Sequence, residues 1–545
     1  MRRSGFFNCI TIMNKSAGFS ARHICHSLGT SVLLVLSLLF VHGTTAQSEV
    51  SLPGIFNDGM VLQRGIKAPV WGKADPGEKV TVIIDGRSKS TKTAHDGSWS
   101  LKLGKLKAGG PFEMTVSGTN TITYSDVMIG DVWLCSGQSN MQFSVEQMGA
   151  RASDAGSADF PAIRMIKIPR DRNESPQEDF LKGKAEWIQS SSESVGKFSA
   201  VAYFFGRELH TELDVPIGLI NASWGGTQAE DWTPYGEIES NPQLSPIIGR
   251  WEEMIADYPR AKADFDKKNA EWKKAQSEGR TDVPRPWAPK GASRNELPGG
   301  IYNAKLHPVI PYGIKGAVWY QGESNTQRGY QYRTLLKTLM TSWRDKWGQG
   351  DFPFIVVQLA NWETDTNPYS PKDGGFWPEL REAQLMALDL KNTALVVTID
   401  LGEETDIHPK NKRDVGKRVA IAARNIAYGH KIVYSGPIYK SLRVKKGDAI
   451  VRFSHIGDGL VAKSGPLMGF EIAGADRKFH KAEAIIEGDT IIVNSGKVAN
   501  PKAVRYAWDD YPECNLYNSA GLPASPFRSD DWPRVTQDNL RPYSW

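Results

Sequence analysis

Three times in this chain an apolar, strand-like run breaks into a short turn of glycine and polar residues. The stretches are VWLCSGQSN (132–140), VPIGLINASWGG (215–226) and IKGAVWYQGESN (314–325). Two further apolar runs follow, DFPFIVVQLAN and NTALVVTIDLGEE. Helix-like tracts separate or succeed them: YQYRTLLKTLMTSWRDKW, WPELREAQLMALDL and NKRDVGKRVAIAARNIAYG. Uniformly apolar strands that alternate with amphipathic helices predict a parallel sheet covered on both faces, an α/β domain of the doubly wound kind. Such a sheet restricts where chemistry can sit, because its ligands bind beyond the carboxyl ends of the strands. The polar turns stand at those ends.

The flanking sequence is different. From about 50 to 124 short β-rich runs are joined by turn residues, as in IKAPVWGKADPGEKVTVIIDG, with no helix-length periodic segment. A β-sandwich-like domain over 47–125 is expected there. The α/β region then runs from 126 to 433, interrupted by a charged, helical insertion at about 250–295. A second β-rich region, 434–545, packs on it. With 545 residues, several domains are anticipated.

Residues 1–46 contain Arg2, Arg3, Lys15 and Arg22, no acidic residue, and the apolar run SVLLVLSLLFV before GTTAQ. That order predicts a signal peptide cleaved after Ala46, and so an exported protein, periplasmic or extracellular. The 11-residue run is short for a membrane span. Subtracting those four basic residues from the formal +5 leaves +1, which gives no argument for nucleic acid. Cys135 and Cys514 remain after the leader, too far apart in sequence to read as a disulfide framework or a zinc site. No metal or other cofactor is expected, and oligomeric state is not encoded legibly.

A serine in a polar turn can be a mere turn residue; with a histidine, an orienting group and oxyanion donors it becomes a nucleophile. Ser139 follows the first strand, Gly225 and Gly226 the second, and Gln321, Glu323 and Asn325 the third. His408 lies in LGEETDIHP after a later one. Acyl transfer is the chemistry such a set supports, with the amides of Ser139 and Gly225 (or Gly226) and the side chain of Asn325 as oxyanion donors.

The turns GQSNM, WGGT, WYQGESN and DIHP resemble those of the sialate O-acetylesterase-like carbohydrate esterases of the SGNH (GDSL-like) hydrolase superfamily. The resemblance extends through IYNAKLHP, WPELREAQ and GLPASPFRSDDW. It implies a flavodoxin-like SGNH hydrolase domain that removes acetyl groups from sugar hydroxyls. It places the nucleophile on Ser139, the base on His408, and oxyanion donors on Gly225 and Asn325. The superfamily's acid usually precedes its histidine by three residues. Thr405 stands there, so Asp406 is taken as the acid, with Glu403, Glu404 or a backbone carbonyl as alternatives. Gln138, Gly226, Gln321, Glu323, Trp377, Arg381 and Trp508 complete the expected substrate-binding set. The substrate expected is an O-acetylated sugar, sialic acid first and acetylated xylan or xyloglucan second. A catalytically inert carbohydrate-binding protein is the reading from another class.

Overall fold

The computed structural model describes residues 49–363 and 375–540. The expected leader, 1–46, lies outside the described residues. Six strands form the centre: β1 (Thr121–Gly137), β2 (Phe160–Lys167), β3 (Ile217–Ser223), β4 (Gly316–Tyr320), β5 (Phe354–Val357) and β6 (Thr393–Val396). They lie in the order β6-β5-β4-β1-β3-β2, all parallel, and Ile188–Ser190 adds a short antiparallel edge beside β2.

The apolar runs separate into two faces because successive strand residues point oppositely. Trp133 and Cys135 of β1 join one buried cluster with α2 (Ala200–Leu213) and α6 (Lys412–Ile426). Val132 and Leu134 join the other, with α4 (Gly329–Trp347) and α5 (Phe376–Leu385). Each large side chain buried this way contributes about 1.5–3 kcal/mol relative to exposure. The sheet is thus covered on both sides, as its continuous hydrophobicity predicts. Two other helices matter below: α1 (Ser139–Gln142) directly after β1, and α3 (Pro246–Ser277).

An expected boundary at 125/126 falls inside one strand. Over its first six residues β1 is at best half-buried and pairs with Gly109–Ser117 of the amino-terminal β-region; from Val127 onward every residue is buried. Asp126 marks the change. Its φ is +57°, and its carboxylate takes two hydrogen bonds from Arg164, at 2.5 and 2.9 Å. No turn residues interrupt the chain here, so the sequence's change of rhythm locates the change of environment but no break in the strand.

The insertion starts slightly earlier than expected. Helix α3 is 32 residues long, and apart from Ala275 its buried residues are at its start: Ile247, Ile248, Arg250 and Trp251. The carboxyl-terminal region forms two four-stranded antiparallel sheets, one containing Asp448–Ser454 and the other Ala503–Tyr506, around a shared core with Val451, Ile472, Ile491, Val504 and Phe527. Among the described residues, no helix is long and apolar enough to cross a membrane.

Candidate active site

The register brings three strand ends level: Gly137 of β1 pairs with Ser223 of β3 and with Tyr320 of β4. Gly137 has φ +140°, and a Cβ there would come within 2.1 Å of the Tyr320 carbonyl oxygen, so only glycine fits. Backbone bonds then stitch the turns together. Gln138 N donates to Tyr320 O (3.0 Å), and Trp224 N donates to Gly137 O (3.0 Å).

Ser139 begins α1 and is partly exposed, between Gln138 (3% exposed) and Asn140 (2%). These neighbours anchor it. Gln138 Oε1 accepts from the amides of Gly322 (3.3 Å) and Ser324 (3.2 Å). Asn140 Nδ2 donates to Glu323 Oε1 (2.5 Å) and to the Ile407 carbonyl (3.1 Å), and its Oδ1 accepts from Lys412. The Ser139 turn is therefore fastened to the third turn and to the residue before His408. Gly225 closes the other side, where a Cβ would lie 3.2 Å from Ser139 Cβ. Its amide donates to Gln142 Oε1 at 2.8 Å. Gly226 is exposed, with φ +73° and open space around it.

His408 stacks on Phe143, which lies one residue beyond α1; the ring centroids are 6.2 Å apart and the planes 18° from parallel. Its Nδ1 is 3.8 Å from Asp406 Oδ1, ion-pair range and longer than a direct hydrogen bond. The same oxygen accepts the His408 backbone amide at 2.9 Å, an Asx-type turn. Glu403 instead bonds the Lys410 amide (2.8 Å), and Glu404 is exposed. Of the three carboxylates weighed from sequence, Asp406 is the one paired with the ring. Burial holds the imidazole pKa below its ordinary value; the Lys412 charge adds to this, while Asp406 pulls it the other way.

Several expected contacts change role. Asn325 is 1% exposed, and its amide is turned to Glu230: Nδ2 donates to Glu230 Oε2 (2.8 Å), while Oδ1 accepts from Ala229 N (2.9 Å) and Gln321 Nε2 (2.7 Å). Glu230 is a buried carboxylate that requires donors. Burial pushes its pKa up, but Arg328, Arg250 and the Asn325 amide outweigh that, and the net direction is down. Asn325→Asp would set a second carboxylate against it. We predict a loss of about 3–5 kcal/mol in unfolding free energy, measured by urea denaturation. A variant as stable as the parent but with reduced kcat would return Asn325 to the oxyanion role.

Gln321 is fully buried, accepting from Tyr332 Oη (2.8 Å), and Glu323 is buried against Asn140; both brace turns. Gln138 does the same. Trp377 is 3% exposed and donates to the Ala360 carbonyl. Arg381 is fully buried and donates to the carbonyls of Leu359, Ala360, Asp509 and Asp510, which clamps the carboxyl-terminal region to the α/β domain. Trp508 lies beside Arg505 and Arg528 of the carboxyl-terminal region, 5.5 and 5.7 Å from its ring centroid. None of these three is held at the Ser139 turn by a described contact. Their sequence neighbourhood reads as site-like because polar and aromatic residues serve a domain seam equally well.

Sequence reasoning missed Gln142, Lys412 and the pair Arg170 and Arg172. The two guanidinium groups lie 5.9 and 5.0 Å from the ring centroid of Trp224, the residue before Gly225. Nothing in PRDRN (169–173) signals that placement; it depends on β2 lying beside β3.

A family model for the carbohydrate esterases described as sialic acid-specific acetylesterase matches residues 278–425, the part that contains Glu323, Asn325, Asp406 and His408. The chain is 30% identical over 542 residues to the sialate O-acetylesterase of Pongo abelii, covering 91% of this chain and 95% of that protein. It is likewise 30% identical over 544 residues to the sialate O-acetylesterase of Homo sapiens, with the same coverage. A solved structure, described as a novel carbohydrate acetylesterase from Xanthomonas citri, superposes with a TM-score of 0.76 at 36% identity, covering 89% of this chain and all of that one. A likeness that runs through both β-regions as well as the α/β domain meets the expectation drawn from the turns: the chain belongs to the sialate O-acetylesterase family of carbohydrate esterases.

Proposed function

We propose that this protein hydrolyses O-acetyl esters on sugars through a Ser139 acyl-enzyme. The observation that carries the reading is the meeting of four separate turns around a partly exposed serine at the carboxyl edge of the sheet. Ser139 Oγ attacks the acetyl carbonyl carbon while His408 takes its proton. The amides of Ser139, at the open first turn of α1, and of Gly225 face the developing oxyanion. Gln142 Oε1, the present acceptor of the Gly225 amide, gives way to it. Collapse breaks the ester bond, and the sugar oxygen leaves with the proton from His408. Water, deprotonated by the same imidazole, then attacks the acyl-enzyme; the bond to Ser139 Oγ breaks, His408 returns the proton to that oxygen, and acetate is released.

We also read the α/β domain as a flavodoxin-like SGNH hydrolase. The strand order β3-β1-β4-β5-β6 supports this, since it repeats the 2-1-3-4-5 order of that fold with β2 added at the edge.

Arg170 and Arg172 beside Trp224 favour an acidic sugar over a neutral one, because a carboxylate on the substrate finds cationic partners next to Gly225. Acetate release from O-acetyl sialic acid and from acetylated xylo-oligosaccharides tests both statements. Arg172 also faces buried Asp231 at 3.5 Å, so Arg170, which is exposed, is the cleaner variant. Arg170→Gln is expected to raise KM for the sialate ester about fivefold, the size of one exposed ion pair, and to leave a neutral ester unchanged. Equal effects on both substrates would count against the acidic-sugar reading; failure to release acetate from either would count against the esterase itself.

A further inference from the structure

Lys412 is fully buried, a rare state for lysine unless it is paired. It opens α6, four residues after His408, and points back under the nucleophile turn. Its ammonium donates to Asn140 Oδ1 and lies 5.0 Å from the ring centroid of Phe143 and 5.6 Å from that of Tyr320. Phe143 is the same ring that stacks on His408. Asn140 faces two ways, taking the lysine on its oxygen and giving its amide hydrogens to Glu323 and to the Ile407 carbonyl. One neutral side chain thus couples a buried cation, a buried carboxylate, the nucleophile's turn and the histidine loop.

We propose that Lys412 is a positioning residue of the esterase site: through Asn140 it fixes the Ser139 turn against the His408 loop, and it sets a buried ammonium within electrostatic reach of the base. The inference rests on the esterase reading above and adds to it a group that never touches substrate. The charged groups acting on Lys412 are Glu323, Asp406 and Glu403; those acting on His408 are Lys412 and Asp406, with Lys410 3.7 Å from Asp406. Burial pulls the lysine down to about 7, with the three carboxylates pulling it up. Burial is the larger influence that holds His408 below its ordinary 6.5, and the Lys412 charge adds to it. A cation beside the base disfavours imidazolium, so the reaction persists to lower pH than it would without it.

The test is the pH dependence of kcat/KM for an aryl acetate, with His408 followed by NMR in parallel. Lys412→Met, and Lys412→Gln, which retains a donor for Asn140, should both move the acid limb upward by about 0.5–1 pH unit. The His408 titration should move with it. A purely structural lysine would lower the rate and leave both curves where they are; that outcome in a folded variant overturns the inference. In the unsubstituted protein His408 should show a second inflection as Lys412 loses its proton, and a single-step curve across the whole pH range in which the protein stays folded overturns the inference even if neither variant folds. Hydrolysis surviving in Ser139→Ala would instead mark failure of the esterase reading, which the NMR titration does not depend on.

Discussion

Ser139→Ala is expected to remove acetyl-ester hydrolysis almost completely, with a fall in kcat of up to about 10⁶-fold, the scale seen when a serine nucleophile is deleted from an acyl-transfer site. The fold should be unaffected. The side chain is partly exposed, its hydroxyl makes no hydrogen bond among the described residues, and Gln138 and Asn140 supply the anchoring contacts on either side. A substitution of that kind changes stability by no more than about 0.5 kcal/mol. Acetate release and a thermal melt on the same preparation make the comparison. A folded Ser139→Ala protein with undiminished activity would refute the assignment.

How much of this was legible in sequence divides along physical lines. The parallel sheet could be read because uniformly apolar strands and amphipathic helices carry their own periodicity, and Gly137 because a sharp exit from a strand needs its backbone freedom. The convergence of Ser139, Gly225 and His408 followed from topology, since carboxyl ends of parallel strands meet on one edge. The polar interior resisted. Asn325 and Gln321 look like site residues in QGESN, yet Asn325 donates to Glu230, whose demand for donors is invisible until burial is known, and Gln321 donates to Asn325 in turn. Arg381 and Trp377 sit in a stretch shared with the family; the structure uses Arg381 to hold the carboxyl-terminal region through the Asp509 and Asp510 carbonyls, which no motif announces, and Trp377 donates to the Ala360 carbonyl. Lys412, in NKRDVGKR, reads as an ordinary exposed start to a basic helix. Only the packing of α6 against α2 and the sheet, with Asn140 at its start, turns it inward.

The acid is where sequence left most open, and Asp406→Asn isolates it. Asn retains the oxygen that accepts the His408 amide, so the Asx turn and the path of the loop are kept while the charge is lost. In the chemical step His408 becomes imidazolium, and a carboxylate near Nδ1 stabilises that state more than the neutral ground state. At a fully buried triad the neutral replacement costs about 10⁴-fold in kcat. Here both side chains are more than a third exposed and 3.8 Å apart, so solvent screening reduces the expected loss to about 10²-fold. Glu403→Gln should be mild, because Glu403 is committed to Lys410, and Glu404→Gln milder still. The pH profile gives an independent sign. Asp406 raises the His408 pKa, so its neutralisation should move the acid limb of kcat/KM downward, opposite to the upward shift for Lys412→Met. Activity within threefold of the parent and an unmoved acid limb would show that Asp406 only shapes the loop, leaving a backbone carbonyl or solvent to orient the ring. A large loss of kcat with a downward shift identifies the residue two positions before the histidine as the acid of this site.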